Sequence, residues 1–226
     1  MCIRDRLQLG ARVEALTREG PTFRLRVRGE AHEFDRVVLA TPAPATARLV
    51  EGLVPTDVVE FLDRIPHASI DVAHATLRRA DLPNMPEGFG YLVPPSEESR
   101  GAPPVLGTIF GANLFEDRAP ADAWCFSAFY APGVLPANPE ERRAAVAHHF
   151  SHAHGWKNAP ALRSLLVDEW RDVIPQATIG HAERRDRALR RTAESVPGLV
   201  LAGTFSGGVA VEDVLQRGTA AAKELL

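Results

Sequence analysis

Cysteine is scarce. The chain holds two, Cys2 and Cys125, among 226 residues. That is too few for a disulfide framework or, by themselves, a metal site, and the usage suits a reducing, cytoplasmic compartment. Long apolar runs are missing: none approaches the ~20 residues of a membrane-spanning helix. The N-terminus lacks the apolar core of a secretory signal. Charge of one sign is also lacking. Net charge is −3 and Lys and Arg are scattered, with no basic stripe, which argues against nucleic acid as a partner. Several catalytic signatures are absent. Ser206-Gly207-Gly208 lacks the leading glycine of a nucleophile elbow, and no Walker loop occurs. No G-x-G-x-x-G occurs either; Gly88-Phe89-Gly90 comes nearest, but Val93 stands where the third glycine belongs.

What is present is an ordinary globular composition, 45% hydrophobic and 24% charged, long enough for a sizeable core in one or two domains. The opening residues Met1 to Arg6 fit nothing that follows, as if joined onto an interior segment of a longer protein. From Arg12 to Phe34 the pattern predicts three short strands, Arg12–Leu16, Phe23–Arg28 and Ala31–Phe34, parted by Glu19-Gly20-Pro21 and Gly29-Glu30. Val37–Ala40 is continuously apolar, as in a strand buried on both faces, and a helix follows from Ala45 to about Leu49. Leu199–Ala202 has the same character, so the two are expected in one parallel sheet with the middle of the chain inserted between them. In that middle, Ala68–Leu77, Val105–Phe110 and Trp124–Tyr130 read as strands, with Ile70, Val72 and His74 on one face. Pro94–Pro104 reads as a polar loop. Glu140–Gly155 reads as a helix with Pro139 at its start, and Ala159 to about Asp172 as a second helix closed by Pro175.

Candidate chemistry concentrates near the C-terminus. The strand ending at Ala202 runs into Gly203-Thr204-Phe205-Ser206-Gly207-Gly208 and then a helix. Gly207 and Gly208 remove side chains that would keep a ligand from the backbone, and the helix N-terminus adds partial positive charge. Val211, Val214, Leu215, Gly218, Ala221, Ala222 and Leu225 share one helix face, expected to lie on the sheet. An ordinary strand–turn–helix would read the same way. His148 and His152 sit four apart, as two metal ligands would, but no third ligand has a telling spacing. The cluster with His149 and His154 reads as a polar helix face and no metal is expected. His181 is placed in a turn, as a base or a structural histidine.

The C-terminal segment resembles the flavin-contacting signature of the amine-oxidase-like flavoproteins. Three more blocks resemble the protoporphyrinogen oxidase branch of that family: Gly88-Phe89-Gly90-Tyr91-Leu92-Val93-Pro94; Leu106-Gly107-Thr108-Ile109-Phe110 with Phe115-Glu116-Asp117-Arg118-Ala119-Pro120; and Ile174-Pro175-Gln176-Ala177-Thr178-Ile179-Gly180-His181. The resemblance implies an α/β fold. This is the C-terminal part of a two-domain FAD-binding, glutathione-reductase/amine-oxidase-like fold with an inserted α+β substrate domain. Residues 1–50 with 190–226 would form the partial FAD-binding domain and 51–189 the substrate domain.

The resemblance also implies site residues. Val13 would face the adenine of FAD, and Val209, Ala210 and Val211 would meet the isoalloxazine through their backbone. Leu92, Ile109 and Phe129 would wall a tetrapyrrole substrate. Each of those apolar residues is equally read as core, and Val13 as a plain strand valine. The implied reaction is oxygen-dependent oxidation of protoporphyrinogen or coproporphyrinogen, with hydride passing to flavin. No catalytic side chain is implied, and the family's dinucleotide fingerprint and propionate-pairing arginine lie upstream of anything present. Peripheral membrane contact is implied as well, without an amphipathic anchor to carry it. Another amine-oxidase-type enzyme, such as an amine oxidase or carotenoid desaturase, and a non-catalytic α+β binding module remain alternatives.

Overall fold

The computed structural model describes residues 6–82, 84–98 and 103–225. Residues 1–5 of the opening segment, Cys2 among them, lie outside the described residues. In chain order the elements are β1 (Val13–Glu19), β2 (Thr22–Val27), β3 (Glu30–Phe34), β4 (Val37–Leu39), α1 (Ala43–Val50), α2 (Thr56–Asp63), β5 (His67–Arg78), β6 (Gly90–Leu92), α3 (Pro95–Glu98), β7 (Gly107–Ile109), α4 (Gly111–Leu114), β8 (Ala123–Tyr130), α5 (Pro139–Ala153), β9 (Leu162–Pro175), α6 (His181–Ser195), β10 (Leu199–Leu201) and α7 (Val211–Glu224). They form two compact units, Met1–His67 with Ile174–Leu226, and Ala68–Val173.

In the first unit, β1, β2 and β3 make an antiparallel meander. Gly20 turns the first hairpin at φ 62°, a backbone state that costs other residues more. Phe23 is fully buried from the inner face of β2, while Arg24 on the outer face pairs with Glu19 and Glu33 at 2.7 and 3.0 Å. Those exposed pairs add little stability. β4 pairs in parallel with β10, Val37 opposite Leu199 and Leu39 opposite Leu201. These four residues share one core with Val50, Val58, Leu62 and Ala188. Val38 points the other way and is 40% exposed, so β4 is buried on one face only, not on both as its composition predicts.

The unit boundaries differ from the expected 50 and 190. Residues 51–67 and 174–189 belong to the first unit because α2 and α6 bury Val58, Leu62 and Ala188 in its core.

The second unit is a five-stranded sheet in the order β6-β7-β8-β5-β9. β8 alternates strictly: Trp124, Phe126, Ala128 and Tyr130 are buried and Cys125, Ser127 and Phe129 are half-buried. The buried face packs against α5 through Val146 and Phe150, with the Phe126 and Phe150 rings stacked at 4.4 Å. Each such side chain taken out of water contributes roughly 1.5–3 kcal/mol. Trp124 is buried with its indole N–H satisfied by the Asn113 Oδ1 at 3.0 Å.

The segment expected to be a second helix is the strand β9. Its apolar residues fit helical spacing, but Ser69–Asp172 and Thr76–Ser164 hydrogen bonds and the His74–Asp168 contact tie it edgewise to β5. The partners descend along β9 as they rise along β5, so the two strands run antiparallel. Pro95–Glu98 forms a short helix inside the expected loop.

Candidate functional site

The turn after β10 is built by close backbone approach. A Cβ on Gly203 would stand 2.4 Å from the Thr41 carbonyl oxygen, so only glycine lets the end of β10 lie against the end of β4. A single 3-10 turn follows at Thr204–Ser206, closed by the Ser206 hydroxyl donating to the Gly203 carbonyl at 2.6 Å. Gly208 holds φ at 149°, and a Cβ there would meet the Asp213 carboxylate at 2.3 Å. At Gly207 it would meet the Arg217 Cβ at 3.2 Å. The room these two glycines leave is therefore filled by the first turns of α7, which corrects the expectation that it is kept open for a ligand.

The amides beyond that turn are unpaired among the described residues. The Gly208 N–H donates to the Thr204 carbonyl at 3.2 Å. Those of Val209, Ala210 and Val211 find no partner among the described residues, and no side chain caps α7. Val209 and Val211 are 57% and 78% exposed. Unpaired N–H groups at a helix start carry the positive end of the dipole. Glu212 and Asp213 in the same turn offset part of it. The apolar face of α7 is covered only at its far end, where Ala221 packs on Val200 and Ala202; Val214 and Leu215 lie exposed.

A cleft of about 200 Å³ flanks this turn, lined by His181, Arg185, Phe205, Gly208 and Val209. His181 is the first residue of α6 rather than part of a turn. Its Nε2 lies 3.0 Å from the Phe205 carbonyl. A carbonyl only accepts, so Nε2 carries the proton and the imidazole braces the turn that presents Val209. A larger cleft of about 430 Å³ lies between α2 and α6. Of its charges, Arg64 meets Glu60 at 3.1 Å, Arg187 reaches out to Glu183 at 3.2 Å, and Arg184 donates to the Ile179 carbonyl and the Thr178 hydroxyl.

In the second unit the sheet presents one open face. Leu92 and Phe129 both stand opposite Gly107, and Ile109 stands opposite Ser127. With side chains alternating along each strand, Leu92, Ile109 and Phe129 share that face. Leu92 is 87% exposed and Ile109 37%, so neither is a core residue within this unit. A Cβ on Gly107 would press within 3.0 Å of Leu92 Cδ2, which leaves a shallow trough between Leu92 and Phe129. The same face carries His74, whose Nδ1 lies 2.8 Å from the Ser127 Oγ and whose Nε2 lies 3.5 Å from Asp168. That polar cluster joins three strands and leaves no local signal in the sequence. Val13 lies apart from the parallel sheet, half-buried at a register slip of the meander, opposite Val27.

His148 and His152 are exposed on α5, as a polar face would be, whereas His149 and His154, just past the helix end, turn inward. His149 is buried, its Nδ1 3.1 Å from the Tyr130 hydroxyl, and burial holds its pKa down to about 4 with His148 and His152 adding to the shift. His154 lies among the rings of Phe110, Tyr91, Phe150 and Trp156. Burial lowers its pKa as well. Among the described residues no group of three or more His, Cys, Asp or Glu is arranged to hold a metal ion, and no helix is long and apolar enough to cross a membrane.

Residues 1–226 match the family model described as flavin containing amine oxidoreductase. The chain is 30% identical over 216 residues to human protoporphyrinogen oxidase, covering 90% of this chain and 43% of that protein. It is 27% identical over 201 residues to coproporphyrinogen III oxidase of Propionibacterium freudenreichii, covering 88% of this chain and 36% of that protein. It thus spans well under half the length of these curated relatives. Among solved structures, cyclohexylamine oxidase from Brevibacterium oxydans superposes with a TM-score of 0.74 at 15% identity, over 95% of this chain and 47% of that one, a likeness of fold alone. A match along the whole sequence, on a strand, glycine turn and helix that expose bare amides, places the chain: it belongs to the flavin-containing amine oxidoreductase family.

Proposed function

We propose that this chain is the C-terminal portion of an FAD-dependent porphyrinogen oxidase. That enzyme would oxidise protoporphyrinogen or coproporphyrinogen with molecular oxygen in heme synthesis. The carrying observation is the row of unpartnered amides at Val209, Ala210 and Val211, opening α7 without a side-chain cap. When bound, the flavin supplies a hydride acceptor that oxygen re-oxidises. The chain's part is to hold an electron-rich ring by backbone N–H groups and the α7 dipole, which favour negative charge without donating a proton. His181 keeps that turn in place through the Phe205 carbonyl. Val13 contributes backbone on the adenine side. Leu92, Ile109 and Phe129 offer an apolar wall on one sheet face, suited to a large macrocycle with few polar groups. The pyrophosphate site belongs to sequence upstream of this segment. The names of the human and Propionibacterium relatives support the porphyrinogen class. The site of action in this reading is the cytoplasm or the surface of a membrane.

The test restores the upstream coding sequence and records the flavin spectrum of the purified protein. A yellow protein that consumes oxygen with a porphyrinogen, and that loses turnover on Leu92→Asp while staying yellow, supports the reading. A yellow protein active on amines alone, or a colourless folded one, overturns it.

A further inference from the structure

The open face of the second unit contains a cleft of about 430 Å³, and Ile109, one of the proposed substrate walls, lines it. Its other walls include Phe115, Cys125, Ser127 and Arg118, and no Asp or Glu lines it. Arg118 is one of several arginines without a carboxylate partner, and it is the one that lines this cleft. Arg24, Arg78, Arg163, Arg171 and Arg217 all meet carboxylates at salt-bridge distance. Arg118 meets none among the described residues. Its guanidinium lies over the Phe115 ring, 5.1 Å from the centroid. Stacking on a ring orients the planar group and leaves its N–H edge free. Asp168 on β9 lies beside the His74 Nε2 at 3.5 Å and does not line the cleft. The cleft therefore joins aliphatic and aromatic walls to one unanswered cation and the hydroxyl of Ser127.

We propose that Arg118 is a carboxylate anchor, and that this cleft takes a ring-bearing apolar acid whose carboxylate pairs with the guanidinium while its ring lies along Ile109 and Phe115. A guanidinium binds a carboxylate through two parallel N–H bonds, which a hydroxyl or ester cannot accept with the same strength. The inference deepens the proposed function in one respect: it assigns this chain its own partner for an acidic substituent of the substrate. The anchor itself follows from the cleft and not from the tetrapyrrole.

Fluorescence titration of the full 226-residue chain with pyrenebutyrate and with the neutral pyrenebutanol tests it. The acid is expected to bind about tenfold more tightly than the alcohol, the worth of one charge-assisted pair. Arg118→Ala should abolish that preference without changing alcohol binding, and Arg118→Lys should keep part of it. In a Cys2→Ser background, pyrenebutyrate should slow alkylation of Cys125 by iodoacetamide, which locates the ligand in this cleft. Equal or absent binding of acid and alcohol, an unchanged preference in Arg118→Ala, or no protection of Cys125 overturns the proposal. Parallel titrations with coproporphyrin III and its tetramethyl ester separate the two readings. An Arg118-dependent preference for pyrenebutyrate with no porphyrin binding keeps the anchor, and the tetrapyrrole reading is then decided by turnover of the protein with its upstream sequence restored. Porphyrin binding indifferent to Arg118→Ala sinks the anchor and keeps the tetrapyrrole reading.

Discussion

A Cβ on Gly208 would have to share space with the carboxylate of Asp213, 2.3 Å away, in a backbone state that L side chains rarely adopt. Gly208→Ala is therefore expected to destabilise the chain by about 1–3 kcal/mol, from backbone strain and overpacking together. Adding Asp213→Ala should return the steric part and leave the backbone part. Thermal unfolding of the two single variants and the double variant measures the split. Gly203→Ala meets the backbone carbonyl of Thr41 at 2.4 Å, so no side-chain truncation at Thr41 should rescue it. The sequence marks these glycines as special but does not say what fills the space beside them. That neighbour is Asp213 or Thr41, and it is known only once the chain has turned. The cluster of His74, Ser127 and Asp168 was illegible for a related reason. Its members sit on three strands, and strand pairing alone makes them neighbours.

Secondary structure was most legible where period and length agreed. The meander, β4, β5, β8, β10, α5 and α7 all lie where alternation or helical spacing puts them, with ends shifted by a few residues. β9 reads as a helix in sequence because Leu162, Leu165, Leu166 and Trp170 recur at helical spacing, and pairing with β5 overrides that local preference.

The contact between α5 and β8 carries a pH dependence. Tyr130, its pKa pushed up by burial, keeps its proton, and its hydroxyl donates to the Nδ1 of a neutral His149. His149 has a folded pKa of about 4 against an ordinary 6.5. Between those values the unfolded chain binds the extra proton, so stability falls as pH drops through that window. It is fully present above it. The loss is expected to approach about 3 kcal/mol near pH 4. Urea midpoints at pH 7 and pH 5 should show the slope, and His149→Phe should flatten it.

On α7 the exposed Leu215 makes the opposite case. Leu215→Lys should shift the stability of this chain by no more than about 0.5 kcal/mol, because nothing is packed there to lose. Chemical denaturation of the two proteins measures the difference.

At the scale of the whole molecule, the parallel pair β4–β10 is two strands wide among the described residues, with Val38, Val211, Val214 and Leu215 open beside it. A ring held only by the amides of Val209–Val211 has little else in this chain to grip. The 226-residue chain is accordingly expected to retain little or no FAD after gel filtration, read from its absorbance near 450 nm (about the usual flavin band). Tight stoichiometric retention would contradict that expectation.

The amino-acid sequence by itself determined the local grammar of this protein. Alternation and helical spacing set most strands and helices, the glycine run set the turn before α7, and the four ordered blocks set the family. These depend on neighbours in the chain, where side-chain period and backbone preference act directly. Tertiary structure alone decided which glycines serve close packing, which histidines are buried, that α2 and α6 complete the first core, and that Leu92, Ile109 and Phe129 face the same way. Each of those depends on strand register and on what packs across from a residue. Contacts between residues far apart in sequence are formed only when burial pulls their elements together.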